Sequence, residues 1–248
     1  RRQRQMCIRD SDDTGRARAG MGVDIASVEN DGVQSIAIGN FSREALSLYR
    51  QTGEVFVDAA GKAKLVQSTL PTLTFGLRFL DADFDGYQDL ILANGHIEPE
   101  INSVQKEINY QQTSQLFWNS GSGRMVDISE DSGPFFLEEI VARGLSAGDV
   151  DGDGDLDVLM TTNGGRAYLL RNDGPTGKAI AIKLRSQGGN KRAIGARVSV
   201  TSRERTQTQM VRTGSSYVSH SPLELTFGGG HVERVERIEI RWPDGTQE

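Results

Sequence analysis

Two stretches of this chain concentrate carboxylates at a fixed spacing. "DADFDGYQDLILAN" begins at Asp81 and "DVDGDGDLDVLMTTN" at Asp149. Aligned on Gly86 and Gly154, the residues Asp81, Asp83, Asp85 and Asp89 match Asp149, Asp151, Asp153 and Asp157. Acidic side chains at the first, third, fifth and ninth positions of a tight loop can turn their oxygens towards one point. That suits a hard cation such as Ca2+, which gathers about six to eight oxygen ligands. The seventh position of such a loop adds a backbone carbonyl, here from Tyr87 or Asp155, and glycine at the sixth permits the sharp turn. The predicted ligands are therefore Asp81, Asp83, Asp85, the Tyr87 carbonyl and Asp89 in one loop. In the other they are Asp149, Asp151, Asp153, the Asp155 carbonyl and Asp157. The twelfth position is Leu92 or Met160 rather than an acidic residue, and strand-like sequence follows. These are β-turn calcium loops and not EF-hands.

Electrostatics favours a cation in such a loop. Two unit charges 4 Å apart repel by about 1 kcal/mol in water and by about 4 kcal/mol at an effective dielectric near 20. Four carboxylates without a counter-charge oppose closing the loop, and a divalent ion reverses that sign. The alternative is a solvated, Asp-rich turn closed by Asx hydrogen bonds and holding no metal. Recurrence of the nine-residue pattern in repeat register favours the ion. A third copy, "SVENDGVQSIAIGN" from Ser27, keeps Gly32 but places Ser27, Glu29, Asp31 and Ser35 at the acidic positions. With two carboxylates fewer, no tight calcium is expected there.

Other candidate chemistry is sparse. The three histidines, His96, His220 and His231, lack a paired metal spacing, and the chain has no G-x-S-x-G, P-loop or Rossmann unit. His96 in "ANGHIEPE" lies beside Glu98 and Glu100 at the start of an insertion, where a site role competes with that of a turn residue at a strand end. Ser215 and Ser216 in "RTGSSY", and the "FGGG" segment, either present a polar ligand surface or serve as turn chemistry. No catalytic residue is predicted.

The elements that must position the acidic loops read as strands. A glycine-containing approach precedes each copy ("GMGVDIA", "TFGLRFL", "RGLSAG"), and an apolar run follows each ("IAIGN", "LILAN", "VLMTTN"). A second run comes next ("LSLYRQ", "SQLFWN", "AYLLRN"), and two copies continue to "VFVDAA" and "RMVDIS". Strands bounded by Gly, Asn and Asp make an antiparallel meander of propeller-blade size. One insertion, His96 to Gln115, should leave the sheet as a surface excursion between two strands. After the third copy, "AIAIKL", "ARVSVT", "TQMVRT", "LELTF" and "RIEIRW" are five further strand candidates of a compact all-β module. In the last, Ile238, Ile240 and Trp242 share one face.

Composition sets the remaining bounds. The chain has 248 residues, 29 of them glycine, and a formal net charge of −6, which argues against a nucleic-acid partner. Its first ten residues, "RRQRQMCIRD", carry four arginines and no apolar period. They resemble translated adapter sequence, the alternative being a natural basic tail, and are expected to be unpacked. The single cysteine, Cys7, lies among them, so no internal disulfide framework exists. No apolar run approaches the length of a membrane-spanning helix.

The D-x-D-x-D-G-x-x-D pattern followed by a strand resembles the calcium loop of FG-GAP/VCBS repeats, the blades of integrin-α-like propellers. "RAIGARVSV", "RTGSSYVSHSP", "LTFGGG" and "VERIEIRWPDG" together resemble the ASPIC/UnbV domain that follows such blades in cartilage acidic protein 1-like proteins. Gly229 departs from that family's usual apolar residue. The resemblance implies an all-β fold: a partial β-propeller, then a small antiparallel, β-sandwich-like ASPIC/UnbV domain. Expected boundaries are 1–14 for the disordered or artefactual segment, 15–177 for three blades and 178–248 for the terminal domain. Because three blades do not close a propeller, the chain is expected to be the C-terminal part of a longer protein. The expected function is a non-catalytic, calcium-binding protein of the extracellular space, periplasm or cell surface, with an unknown protein or glycan ligand. The alternative is the accessory portion of a secreted, glycan-active enzyme whose catalytic residues lie upstream.

Overall fold

The computed structural model describes residues 17–174, 178–203, 205–230 and 234–248. The N-terminal ten residues, Cys7 and His231 lie outside them. The protein is all-β, with 42% strand against 7% helix, and its sheets are antiparallel and open.

The first sheet is a meander of β1 (Gly20–Ala26), β2 (Ser35–Asn40), β3 (Ser47–Thr52) and β4 (Val55–Asp58). The second begins with β5 (Thr74–Leu80) and β6 (Asp89–Asn94). Near the end of the insertion, the two-residue β7 (Gln112–Thr113) leads into β8 (Gln115–Asn119) and β9 (Met125–Asp127), which complete the order β5-β6-β8-β9. The short β10 (Glu139–Ile140) pairs with β7. A third sheet joins β11 (Ala142–Gly148), β12 (Asp157–Thr162) and β13 (Tyr168–Leu170). The acidic loops are the β5–β6 and β11–β12 connections, and the worn copy is the β1–β2 connection.

The insertion does leave the second sheet between two of its strands, but it is anchored rather than loose. His96, Ile101 and Ile108 are buried, and the His96 amide donates to the Tyr110 carbonyl at 2.8 Å.

Side-chain alternation stacks the three sheets. Leu90 and Leu92 of β6 meet Ala37 and Leu48 of the first sheet, while Ile91 and Ala93 meet Leu145, Val158 and Met160 of the third. With both faces buried, β6 reads as a continuous apolar run. On β12, Val158 and Met160 face the second sheet, whereas Leu159 is 45% exposed and its partner Leu169 on β13 is 56% exposed.

The leading strands β1, β5 and β11 lie side by side, each with a register shift at its glycine. These glycines permit the approach. A Cβ on Gly22 would overlap the Phe75 carbonyl, and one on Gly76 would stand 2.6 Å from the Arg143 carbonyl.

The C-terminal module packs two sheets over Ala196, Val198, Val200, Val211, Leu225 and Phe227. One sheet pairs β14 (Ala179–Ile182) with β17 (Leu225–Gly228). The other has the order β16 (Arg205–Met210), β15 (Arg197–Ser202), β18 (Arg237–Arg241). The strand expected at "TQMVRT" begins at Arg205 instead, because Arg205–Met210 pairs as a hairpin with Arg197–Ser202. Arg212 onwards is released to the first three sheets. Ile240 and Trp242 pack against the module core.

Candidate metal centre

Both acidic loops share a backbone plan. Position six has positive φ in each copy: Gly32 at 76°, Gly86 at 88° and Gly154 at 101°. Position four is also left-handed, at Asn30 (52°), Phe84 (57°) and Gly152 (82°). Asn and Gly adopt this conformation readily, but a bulky Phe does so only where its surroundings hold it. Phe84 is buried.

The ninth-position aspartates are clamps. Asp89 accepts from the Ala82 amide at 3.0 Å and the Asn119 amide at 2.7 Å. Asp157 accepts from the Val150 amide at 2.9 Å and the Asn172 amide at 3.0 Å. Each therefore ties the start of its loop to the end of the third strand of its sheet (Asn119) or to two residues beyond it (Asn172), and both are buried.

In the first loop Asp81, Asp83 and Asp89 bring one oxygen each within 4.8 Å of one another. Asp85 is not in that group; its carboxylate accepts from the Tyr87 amide at 2.7 Å. Asp81 is 1% exposed, and while one of its oxygens takes the Gly86 amide at 2.9 Å, Oδ1 has no partner. Burial, then the charges of Asp89, Asp85 and Asp83, raise the Asp81 pKa to about 8. Burial raises that of Asp89 to about 7, with Asp83 and Asp85 adding to the rise against its two amide bonds. Asp85 is raised too, chiefly by burial. Four carboxylates thus share a site that holds too little positive charge, with one buried oxygen unpaired. This donor set fits a hard divalent cation, which would be held by Asp81, Asp83 and Asp89 among the grouped oxygens.

The second loop gathers Asp149, Asp151 and Asp153 within the same 4.8 Å, but all three are exposed. Asp157 stays outside the group as a clamp, and Asp155 lies beside Gly174. Partial desolvation, with the neighbouring carboxylates adding to it, raises the pKa of Asp151 and of Asp155. In the worn copy, Arg50 pairs with both Glu29 and Asp31, and Lys62 pairs with Glu29, so protein cations neutralise that loop.

His96 is tied into the structure on both ring nitrogens. Nδ1 accepts from the Glu98 amide at 3.0 Å, Nε2 lies 3.2 Å from Ser42 Oγ, and burial lowers its pKa.

The serines of "RTGSSYVSHSP" have a role that sequence reading missed. They cap the free amides of the leading strands. Ser216 Oγ accepts from Leu77, Ser219 Oγ from Leu145 and Ser221 Oγ from Ala147, each at 3.1 Å. The Ser216 amide donates to the Val23 carbonyl at 2.9 Å. One equivalent position in each leading strand also bonds this segment: Asp24 pairs with Arg212 at 2.6 Å, Arg78 donates to Ser215, and Ser146 donates to the His220 carbonyl. Between this segment, the ends of the leading strands and the C-terminal module lies a cleft of about 330 Å³, with Asp81 and Asp149 among its lining. The spacing of the serines was visible in the sequence, but their partners lie 74 to 139 residues away.

No helix among the described residues is long and apolar enough to cross a membrane. No curated protein matches the chain. Residues 99–160 match the family model of an FG-GAP-like repeat, and residues 186–248 match that of ASPIC and UnbV. Repeats of the first kind are typical of extracellular or cell-surface proteins. The chain thus carries an FG-GAP-like repeat, within which the second acidic loop falls, followed by an ASPIC and UnbV domain.

Proposed function

We propose that this is a non-catalytic, calcium-stabilised binding protein of the extracellular space, periplasm or cell surface, of the cartilage acidic protein 1-like kind. Its first three sheets, within 15–177, are read as blades of a β-propeller, and 178–248 as the ASPIC/UnbV domain. Side-by-side leading strands and sheets stacked face on face support the blade reading. The exposed Leu159 and Leu169 occupy the places of the packed Ile91 and Leu116, so the third sheet can accept a further blade-like sheet. The reading assigns two Ca2+ ions, one to each complete loop. The observation that carries it is Asp81: a buried carboxylate with an unpaired oxygen, grouped with Asp83 and Asp89. The ligand is an unidentified protein or glycan.

Calcium titration calorimetry, with thermal melts in calcium and in chelator, tests the proposal. Binding is expected at roughly 10⁻⁴ to 10⁻³ M, the range of extracellular modules, with a higher melting temperature in calcium. No binding heat up to several times that concentration and unchanged melting would return both loops to solvated turns.

A further inference from the structure

The two acidic loops differ in what covers them, and the cover of the first comes from the C-terminal module. Gly228, at the end of β17, lies directly on the loop. A Cβ there would overlap Asp81 Oδ2 and stand 2.6 Å from Phe84 Cα. From the other side, a Cβ on Gly86 would stand 2.9 Å from Gln207 Nε2 and 3.0 Å from the Gly228 carbonyl. The contact is bonded as well as close. The Gly230 amide donates to the Phe84 carbonyl at 2.6 Å, and Gln207 Nε2 donates to the Gly228 carbonyl at 2.6 Å. The Arg205 guanidinium lies 5.0 Å from the centre of the Tyr87 ring. The residue held in left-handed conformation, Phe84, is the one the module grips. Among the described residues nothing comparable touches Gly152 or Gly154, and a Cβ on either would meet none of them within 4 Å.

We propose that the Asp81–Asp89 loop is a composite cation site whose fourth wall is the Phe227–Gly230 segment of the C-terminal module, so that ion binding and docking of that module are one coupled equilibrium. This rests on the calcium reading of that loop and adds to it the residues that close the site. The loop can hold its ion-binding form only while Phe84 stays in its strained conformation, and the Gly230 and Gly228 contacts hold it there. By linkage, whatever loosens the module weakens the ion, and removing the ion loosens the module by the same factor. Gly228 and Gly86 are required for space, Gln207 for fixing the Gly228 peptide, and the Arg205 guanidinium carbon lies 3.0 Å from where a Gly86 Cβ would stand, bringing a positive charge to the loop.

The test uses the whole chain carrying Asp151→Asn, so that calorimetry reports the first loop alone, together with amide hydrogen exchange at Gly230. Calcium is the probe. Gly228→Ala and Gln207→Ala should each weaken calcium binding at the first loop by about tenfold, within the usual range of coupling. In the Asp83→Asn background, where the second loop is intact, the same changes should leave calcium affinity as it was. Calcium should slow Gly230 exchange in the parent chain and leave it unchanged in Asp83→Asn. Should Gly228→Ala fail to fold, Gln207→Ala and the exchange measurement decide. Calcium bound equally well by both module variants, with Gly230 exchange indifferent to calcium, overturns the composite site and leaves the calcium reading standing. Absence of calcium binding at the first loop in the parent chain overturns both.

Discussion

The Asp81–Asp89 and Asp149–Asp157 loops are the same nine-residue device in two settings. Each has left-handed residues at positions four and six and a buried aspartate clamp at position nine. In the first, the carboxylates are walled in. Asn30 donates to the Gly86 carbonyl, Trp118 to Asp83, Asn172 to the Ala82 carbonyl, and the C-terminal module closes the top. In the second, hydrogen bonds are mostly local and water reaches Asp149, Asp151 and Asp153. The local pattern builds the turn. The surroundings decide how strongly the carboxylates of the turn repel one another, because charge repulsion is screened in water and grows with burial.

The largest expected effects test what the loops share. Asp89→Ala and Asp157→Ala each remove an acceptor for two backbone amides and should cost about 2–4 kcal/mol apiece in urea melts. A cost at Asp157 under half that at Asp89 would mean the clamps are not equivalent.

Calcium then separates the loops. Binding to the folded state adds about 2.7 kcal/mol at a hundredfold excess over Kd. In thermal melts, Asp83→Asn should remove most of the calcium-dependent gain and Asp151→Asn the smaller part. The reverse order would place the stronger site in the open loop.

The pH response without calcium should be smaller, because a proton on one of the coupled carboxylates relieves the others. Asp81 and Asp89 have pKa values raised above those of the unfolded chain, to about 8 and about 7. Their protonated forms favour the fold. Their stabilising contribution is full below about pH 4 and is lost as pH rises through 7 and 8. Urea melts in chelator at pH 5.5 and 8.5 should show lower stability at the higher pH, and calcium should flatten the difference. A stability in chelator that rises with pH would show that the buried loop carries its charge without strain.

The smallest effect sharpens the comparison at position four. Gly152→Ala has open space for its Cβ but a φ of 82°, so it should cost only about 1–2 kcal/mol, the penalty of the left-handed backbone. A larger loss in thermal melts would mean that the second loop is gripped by something after all.

The sequence alone determined the acidic turns and their strands. Aspartates at the first, third, fifth and ninth positions, glycine at the sixth and an apolar run from the tenth are local features, and the turn they specify closes through neighbouring hydrogen bonds. It also determined that β6 would carry an unbroken apolar run, Leu90 to Ala93, though not that Leu90 and Ile91 would face different sheets. The tertiary structure decided which loop is buried. Nothing between Asp81 and Asp89 announces Gly228, whose meaning is the empty volume that lets one backbone lie on another far along the chain. The serines at 216, 219 and 221 likewise read as turn residues until strand amides with no sheet partner are brought against them. A serine hydroxyl carries the same local propensity whether it faces water or a strand edge. Only chain folding over that distance chooses between them, because an unpaired buried amide costs more free energy than a turn residue's preference can set.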